Sequence, residues 1–198
     1  MHERSSLART HWLPIWLLLA GSIYLAMKPH TNGLVNFAPA LAIAFTGSLV
    51  MPRPFRFWAP LAMVILADVA RGEMLSHWSV GVKYVLLGAA AFWGASLVKQ
   101  QASVPGIQGR VLVCTILMQL MLNTVAWMGL PDYAKTFAGW MQANTTGVPG
   151  FIPTWVFWLN ALISDQLASL ALILLFNWES SIRRWPAFPW RRTAVAVG

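Results

Sequence analysis

Cysteine is almost absent from this chain: one, Cys114, occurs in 198 residues. A single thiol forms no intrachain disulfide and no cysteine metal cluster, and its place inside an apolar run reads as small-residue packing. Charge is scarce as well. Charged residues make up 10% of the chain, against about 25% in soluble domains. The acids number only six, against fourteen Lys and Arg. No Gly-rich Walker-type loop is present, which excludes ATP hydrolysis by that route. Internal repeats and low-complexity stretches are also missing.

What fills the chain is apolar: 58% hydrophobic residues, with a mean hydropathy of +0.59. Six stretches can be read as membrane spans, at about 12–27, 34–51, 55–70, 79–98, 111–129 and 151–177. A span needs ~20 apolar residues, so the second and third must lean on flanking residues. Residues 1–198 then form a single transmembrane domain, with 178–198 as a basic tail. If the N-terminus is cytoplasmic, Arg4, Arg9, Arg53, Arg56, Lys99, Arg110, Arg183, Arg184, Arg191 and Arg192 lie inside. Lys28, Arg71, Lys83 and Lys135 lie outside. Ten against four is a positive-inside bias that requires an even number of spans. The expectation is an all-α, six-helix polytopic bundle in a bacterial cytoplasmic (inner) membrane, with both termini cytoplasmic.

The first segment also has the outline of a signal peptide, with Arg4 and Arg9 before an apolar run ending in Ala20-Gly21-Ser22. A retained helix is preferred, because its removal breaks the charge parity. The pI near 10.6 does not imply nucleic acid, since the basic residues are spread over inner loops and the tail. The tail from Arg183 to Arg192 mixes charge with Trp185, Phe188 and Trp190. That mixture reads as an inner-surface contact with membrane lipids.

The inner connections read as tight. Met51–Arg56 contains Pro52 and Pro54, and Gln100–Gly109 contains Pro105, Gly106 and Gly109. The outer connections are richer, holding His30, Glu73, His77, Trp78, Asp132, Tyr133 and Lys135. Tyr133–Ala143 has helical periodicity, with Tyr133, Phe137, Trp140 and Met141 on one face. That segment is either an interfacial helix or a lid over a pocket. Ala38/Ala42, Ala40/Ala44 and Gly88/Ala91/Ala95 are small-residue spacings that permit close helix approach.

Carboxylates at membrane depth need partners. Asp68 has Arg71 one turn later, as a structural ion pair or as part of a ligand site. Asp165 is expected to bond Asn123 or Gln119 across the bundle. An acid-protease dyad of these aspartates is disfavoured by their different depths. Asn36, Asn123 and Asn160 come from three spans at comparable depth, and Trp127 stands one turn beyond Asn123. Most of the twelve tryptophans fit interfacial belts, Trp185 and Trp190 included.

Asn36-Phe37-Ala38-Pro39, Pro60-Leu61 with Asp68 and Gly72, Asn123 with Trp127, Tyr133–Gly139 and Asp165 together resemble the S-components of energy-coupling-factor (ECF) vitamin transporters, a group to which the BtuM-type cobalamin transporters are related. The resemblance covers about 28–175. It implies capture of a micronutrient at an outward pocket and an ECF-type energising module as partner. Two departures stand out. The first span lacks the Ala-x-x-x-Ala docking pattern, and no cysteine follows the third span to meet a corrinoid cobalt. His77 is the residue that would take that metal-ligand role if the substrate is cobalamin.

The sequence therefore points to a substrate-binding transport subunit, not an enzyme. It has no catalytic residues and no resident cofactor beyond a bound vitamin. Asn36, Asp68, Arg71, Lys83, Tyr84, Asn123, Trp127 and Asn160 line its site, and His77 and Trp140 cap it. The alternative is a non-transporting scaffold of a larger membrane complex.

Overall fold

The computed structural model describes residues 10–27, 36–72, 78–97 and 102–191. His30, Glu73 and His77 lie outside them. Among the described residues every regular element is helical: α1 (Trp12–Met27), α2 (Ala40–Val50), α3 (Trp58–Ala70), α4 (Trp78–Leu97), α5 (Val104–Gly129), α6 (Phe137–Asn144) and α7 (Thr154–Arg183). Three of them, α4, α5 and α7, are long and apolar enough to cross a membrane. The helices α1, α2 and α3 are apolar but shorter.

The organising element is α2. Ten of its eleven residues, Leu41–Val50, are buried, as expected of a helix that is apolar all round. Eleven residues reach only ~16 Å, so α2 is a core helix enclosed by α1, α3, α4, α5 and α7 where a full span 34–51 was expected. Against α4 the approach is backbone to backbone. A Cβ on Gly94 would stand 2.3 Å from the Phe45 carbonyl oxygen. The expected close approach at Gly88 is not made, since a Cβ added there would meet open space.

Between apolar helices in a bilayer, polar bonds and tight packing replace the hydrophobic driving force. Here a polar seam joins α2, α5 and α7. Thr46 and Ser169 hydroxyls meet at 2.7 Å, and Gln108 donates to Ser169 Oγ at 3.2 Å. Asp165 on α7 accepts from the Ala42 N–H at 3.0 Å, the Leu41 N–H and the Thr115 hydroxyl at 2.9 Å. The expected partners Asn123 and Gln119 are thus wrong. The N-cap position of α2 is Pro39, which offers no side-chain cap, and a helix start leaves N–H groups without acceptors. Asp165 supplies the missing cap from another helix.

Glu179 repeats the device. Its carboxylate accepts from the Leu13 N–H at 2.9 Å, at the start of α1, and pairs with Arg183 at 2.9 Å. Fourteen residues are almost four helical turns, so Asp165 and Glu179 share one face of α7. The opposite face carries Trp155, Leu159, Ile163, Leu167, Leu174, Trp178 and Ile182, all exposed. This inverted amphipathicity, polar inside and apolar outside, is the build of a membrane protein.

Two segments differ from their sequence reading. Helix α5 begins at Val104 and not at 111, because a proline in the first turn starts a helix instead of breaking it. The segment after α7 folds back. Asn177 brackets Phe188 through both its backbone groups at 2.8 and 3.0 Å, and the Pro189 carbonyl accepts from Val104 N–H at 2.8 Å. Trp185 lies edge-on to His11 and under Arg183, so it packs between the start of α1 and the end of α7.

Candidate binding site

At the end of the bundle opposite residues 10 and 191, Asp68 joins α3 to α4. It lies near the C-terminus of α3, where the chain must turn back, and is 3% exposed. Arg71, one turn on, donates through Nη2 to Oδ1 at 2.7 Å. From the first turns of α4, Lys83 Nζ reaches Oδ2 at 2.6 Å and Tyr84 donates its hydroxyl to the same oxygen at 3.0 Å. The pairing of Asp68 with Arg71 stands as the sequence spacing required. The contribution of α4 needed the fold.

Beside this cluster a cleft of about 390 Å³ opens between α4 and α5, lined by Trp78, Ser79, Val80, Lys83, Leu122, Val125, Ala126, Gly129 and Leu130. Its wall is apolar, and Lys83 is its cation. The Trp78 ring lies over Gly129, where a Cβ would stand 3.2 Å from the indole. Farther along the same seam a second hollow of about 170 Å³ lies among Leu41, Leu86, Ala90, Trp93, Cys114 and Met118.

The other expected site residues are distributed differently. Asn36 adopts the left-handed conformation at φ 59°, which asparagine tolerates. It donates to the Phe157 carbonyl at 3.2 Å and to Gln119 at 3.4 Å. Asn123 follows Gln119 by one turn, and its buried Nδ2 makes no hydrogen bond. Asn160 is half-buried on α7.

Trp127 Nε1 donates to the Ala134 carbonyl at 2.8 Å. Trp140 Nε1 donates to Thr124 Oγ1 at 2.9 Å. These two indoles fasten the α5–α6 connection to α5. Lys135 belongs to the same fastening, donating to the Trp127 and Leu130 carbonyls at the C-terminus of α5, where a cation is favoured. Of the expected residues, only Lys83 both joins the Asp68 cluster and lines the cleft. His77 falls outside the described residues.

The chain belongs to the DUF6580 family. The match covers residues 6–188, and the family is one of unknown function. No curated protein and no solved structure matches the chain.

In this DUF6580 protein α6 is shorter than the sequence periodicity implied, at Phe137–Asn144. Thr136 caps it by accepting from the Gly139 N–H at 3.2 Å, and Gly139 packs where a Cβ would meet the Ala134 carbonyl. Tyr133 is buried ahead of the helix. Helix α6 packs on α5 and α7 and contributes no residue to the cleft. Sequence reasoning missed the α5 lining: Leu122, Val125, Ala126 and Gly129 have i, i+3, i+4, i+7 spacing, but so does any apolar helix face. Trp78 was the one detectable signal, as an aromatic residue at an outer rim.

Proposed function

We propose that this protein is a membrane-embedded binding subunit for uptake of a small organic micronutrient. Its α4–α5 cleft opens to the cell exterior, and six apolar helices form one bundle in the bacterial inner membrane with both termini cytoplasmic. One observation carries this reading: a largely apolar hollow with a single ammonium group lies at the end of the bundle that holds fewer basic residues. Ligand sites are concave and mostly apolar, with a few placed polar groups. Lys83 is oriented by Asp68, which is itself fixed by Arg71 and Tyr84.

The orientation is supported by charge. Among the described residues Arg53, Arg56, Arg110, Arg183, Arg184 and Arg191 gather at the end shared by residues 10 and 191, and Arg71, Lys83 and Lys135 lie at the other. The cleft volume of about 390 Å³ is near the lower limit of the ~300–1,000 Å³ usual for small-molecule sites. It therefore suits a one- or two-ring vitamin better than a whole corrinoid. Association with an ECF-type energising module is the partner this reading implies.

Tryptophan fluorescence of the purified protein, titrated with a panel of vitamins, tests the proposal. Saturable quenching that is lost in Lys83→Met supports it, and indifference to the panel refutes it. The scaffold reading is favoured by one observation: Asp68 is fully satisfied within the protein. In that case Lys83→Met would alter stability alone.

A further inference from the structure

The start of α5 carries a second site, at the opposite end of the bundle and independent of the transport reading. Ser103 occupies the N-cap position and is 7% exposed, yet its hydroxyl makes no cap bond. Val104 N–H is taken by the Pro189 carbonyl, and Pro105 has no N–H to offer. Gly106 is the third helical residue, whose N–H has no intrahelical acceptor. One turn later, on the same face, Arg110 presents a buried Nη1 that makes no hydrogen bond.

These groups converge. A Cβ built on Gly106 would stand 3.1 Å from Ser103 Oγ and 3.7 Å from Arg110 Nη1, so both polar atoms face the space that glycine leaves open. A buried guanidinium nitrogen with no acceptor is costly. The Ser103 hydroxyl beside it, which makes no cap bond, points to the same missing acceptor, one rich in oxygen. Helix dipole, free N–H, hydroxyl and guanidinium together form an anion cradle. The surrounding charge has the same sign, with Arg53, Arg56, Arg183, Arg184 and Arg191 at this end. The carboxylate of Glu179 is already committed to Leu13 and Arg183.

We infer that Ser103, Gly106 and Arg110 bind a phosphate group, supplied by an anionic phospholipid headgroup or by a free phosphate. Arginine is suited to this ligand because its planar fork matches two phosphate oxygens.

The test uses the full chain in phosphatidylcholine nanodiscs, with and without phosphatidylglycerol, and with inorganic phosphate added to the lipid-neutral discs. Native mass spectrometry reads retained lipid, and thermal unfolding reads stabilisation by either anion. Retention of phosphatidylglycerol that falls about tenfold or more in Arg110→Gln, but not in Arg53→Gln, supports a headgroup site. Stabilisation by inorganic phosphate with the same Arg110 dependence supports a free-phosphate site. Gly106→Ala is the second variant: it fills the cradle without removing a charge and suits a helix. It should weaken the same binding even if Arg110→Gln fails to fold. Equal anion binding by wild type, Arg110→Gln and Gly106→Ala, or no anion dependence at all, overturns the assignment.

Discussion

Asp165 caps α2 from a neighbouring helix, and its replacement separates the cap from the charge. In Asp165→Leu the N–H groups of Leu41 and Ala42 lose their acceptor in a buried, apolar setting. Each unsatisfied group costs about 1–3 kcal/mol, and together they cost about 2–6 kcal/mol. Thr115 adds little, because its single hydroxyl proton can turn fully to the Val111 carbonyl, already 3.0 Å away. Asp165→Asn keeps an oxygen for the α2 N–H groups and turns an amide toward Thr115. It gives up only the charge–dipole part, at most ~2 kcal/mol.

The expected order of stability is wild type, then Asn, then Leu, with the Leu variant clearly the weakest. Cys114 is the sole thiol and is buried one residue from Thr115, so it serves as the reporter. A thiol-reactive fluorogenic dye should label it only as the bundle opens during SDS titration in mixed micelles. If Asp165→Leu unfolds at the same SDS fraction as Asp165→Asn, the capping argument fails.

Three further outcomes follow from the same structure. Asp68→Leu strands two cations, a loss of up to ~3–5 kcal/mol for a buried pair. The Arg71 and Lys83 side chains are 16% and 22% exposed, so a loss nearer ~2–3 kcal/mol is expected in SDS titration, and Lys83→Met should cost less because Arg71 and Tyr84 keep Asp68 bonded. Gly94→Val should open the α2–α4 contact and destabilise by ~3 kcal/mol or more, whereas Gly88→Ala, with open space around it, should be neutral or gain ~0.5–1 kcal/mol; equal thermal midpoints for the two would contradict the packing described.

The third outcome concerns His11, which precedes α1. Burial holds its pKa below the ordinary 6.5, against the opposing pull of Glu179 and with Arg183 adding to the lowering. The unfolded chain then takes up a proton before the folded one does. The His11 contribution is complete above pH 6.5 and is lost as pH falls through that value toward the folded pKa. The thermal midpoint of wild type should therefore decline on mild acidification more steeply than that of His11→Phe, and parallel curves would exclude the effect.

Some of the arrangement is local enough to read from residues alone. The Asp68–Arg71 pair follows from i, i+3 spacing, the turn at Met51–Arg56 from its prolines, and the positions of α1 and α4 from apolar run length to within one residue, whereas α7 runs six residues past its expected end. Other features are non-local. The cap on α2 comes from a carboxylate 123 residues away. The roles of Trp127 and Trp140 as fasteners depend on where the α5–α6 connection returns. Pro105 read as a turn because proline marks both the end and the start of helices, and only the path of the chain distinguishes them.

The sequence by itself determined that this is an apolar, helical chain with segregated basic residues and acids too few to be left unpaired, because bilayer length and the cost of buried charge act on each segment separately. Tertiary structure alone decided which helix is enclosed, which acid caps which helix, and that the cleft lies between α4 and α5. Those depend on how helices from distant parts of the chain pack, and a uniformly apolar face gives no sign of whether it meets lipid, a neighbour or a hollow.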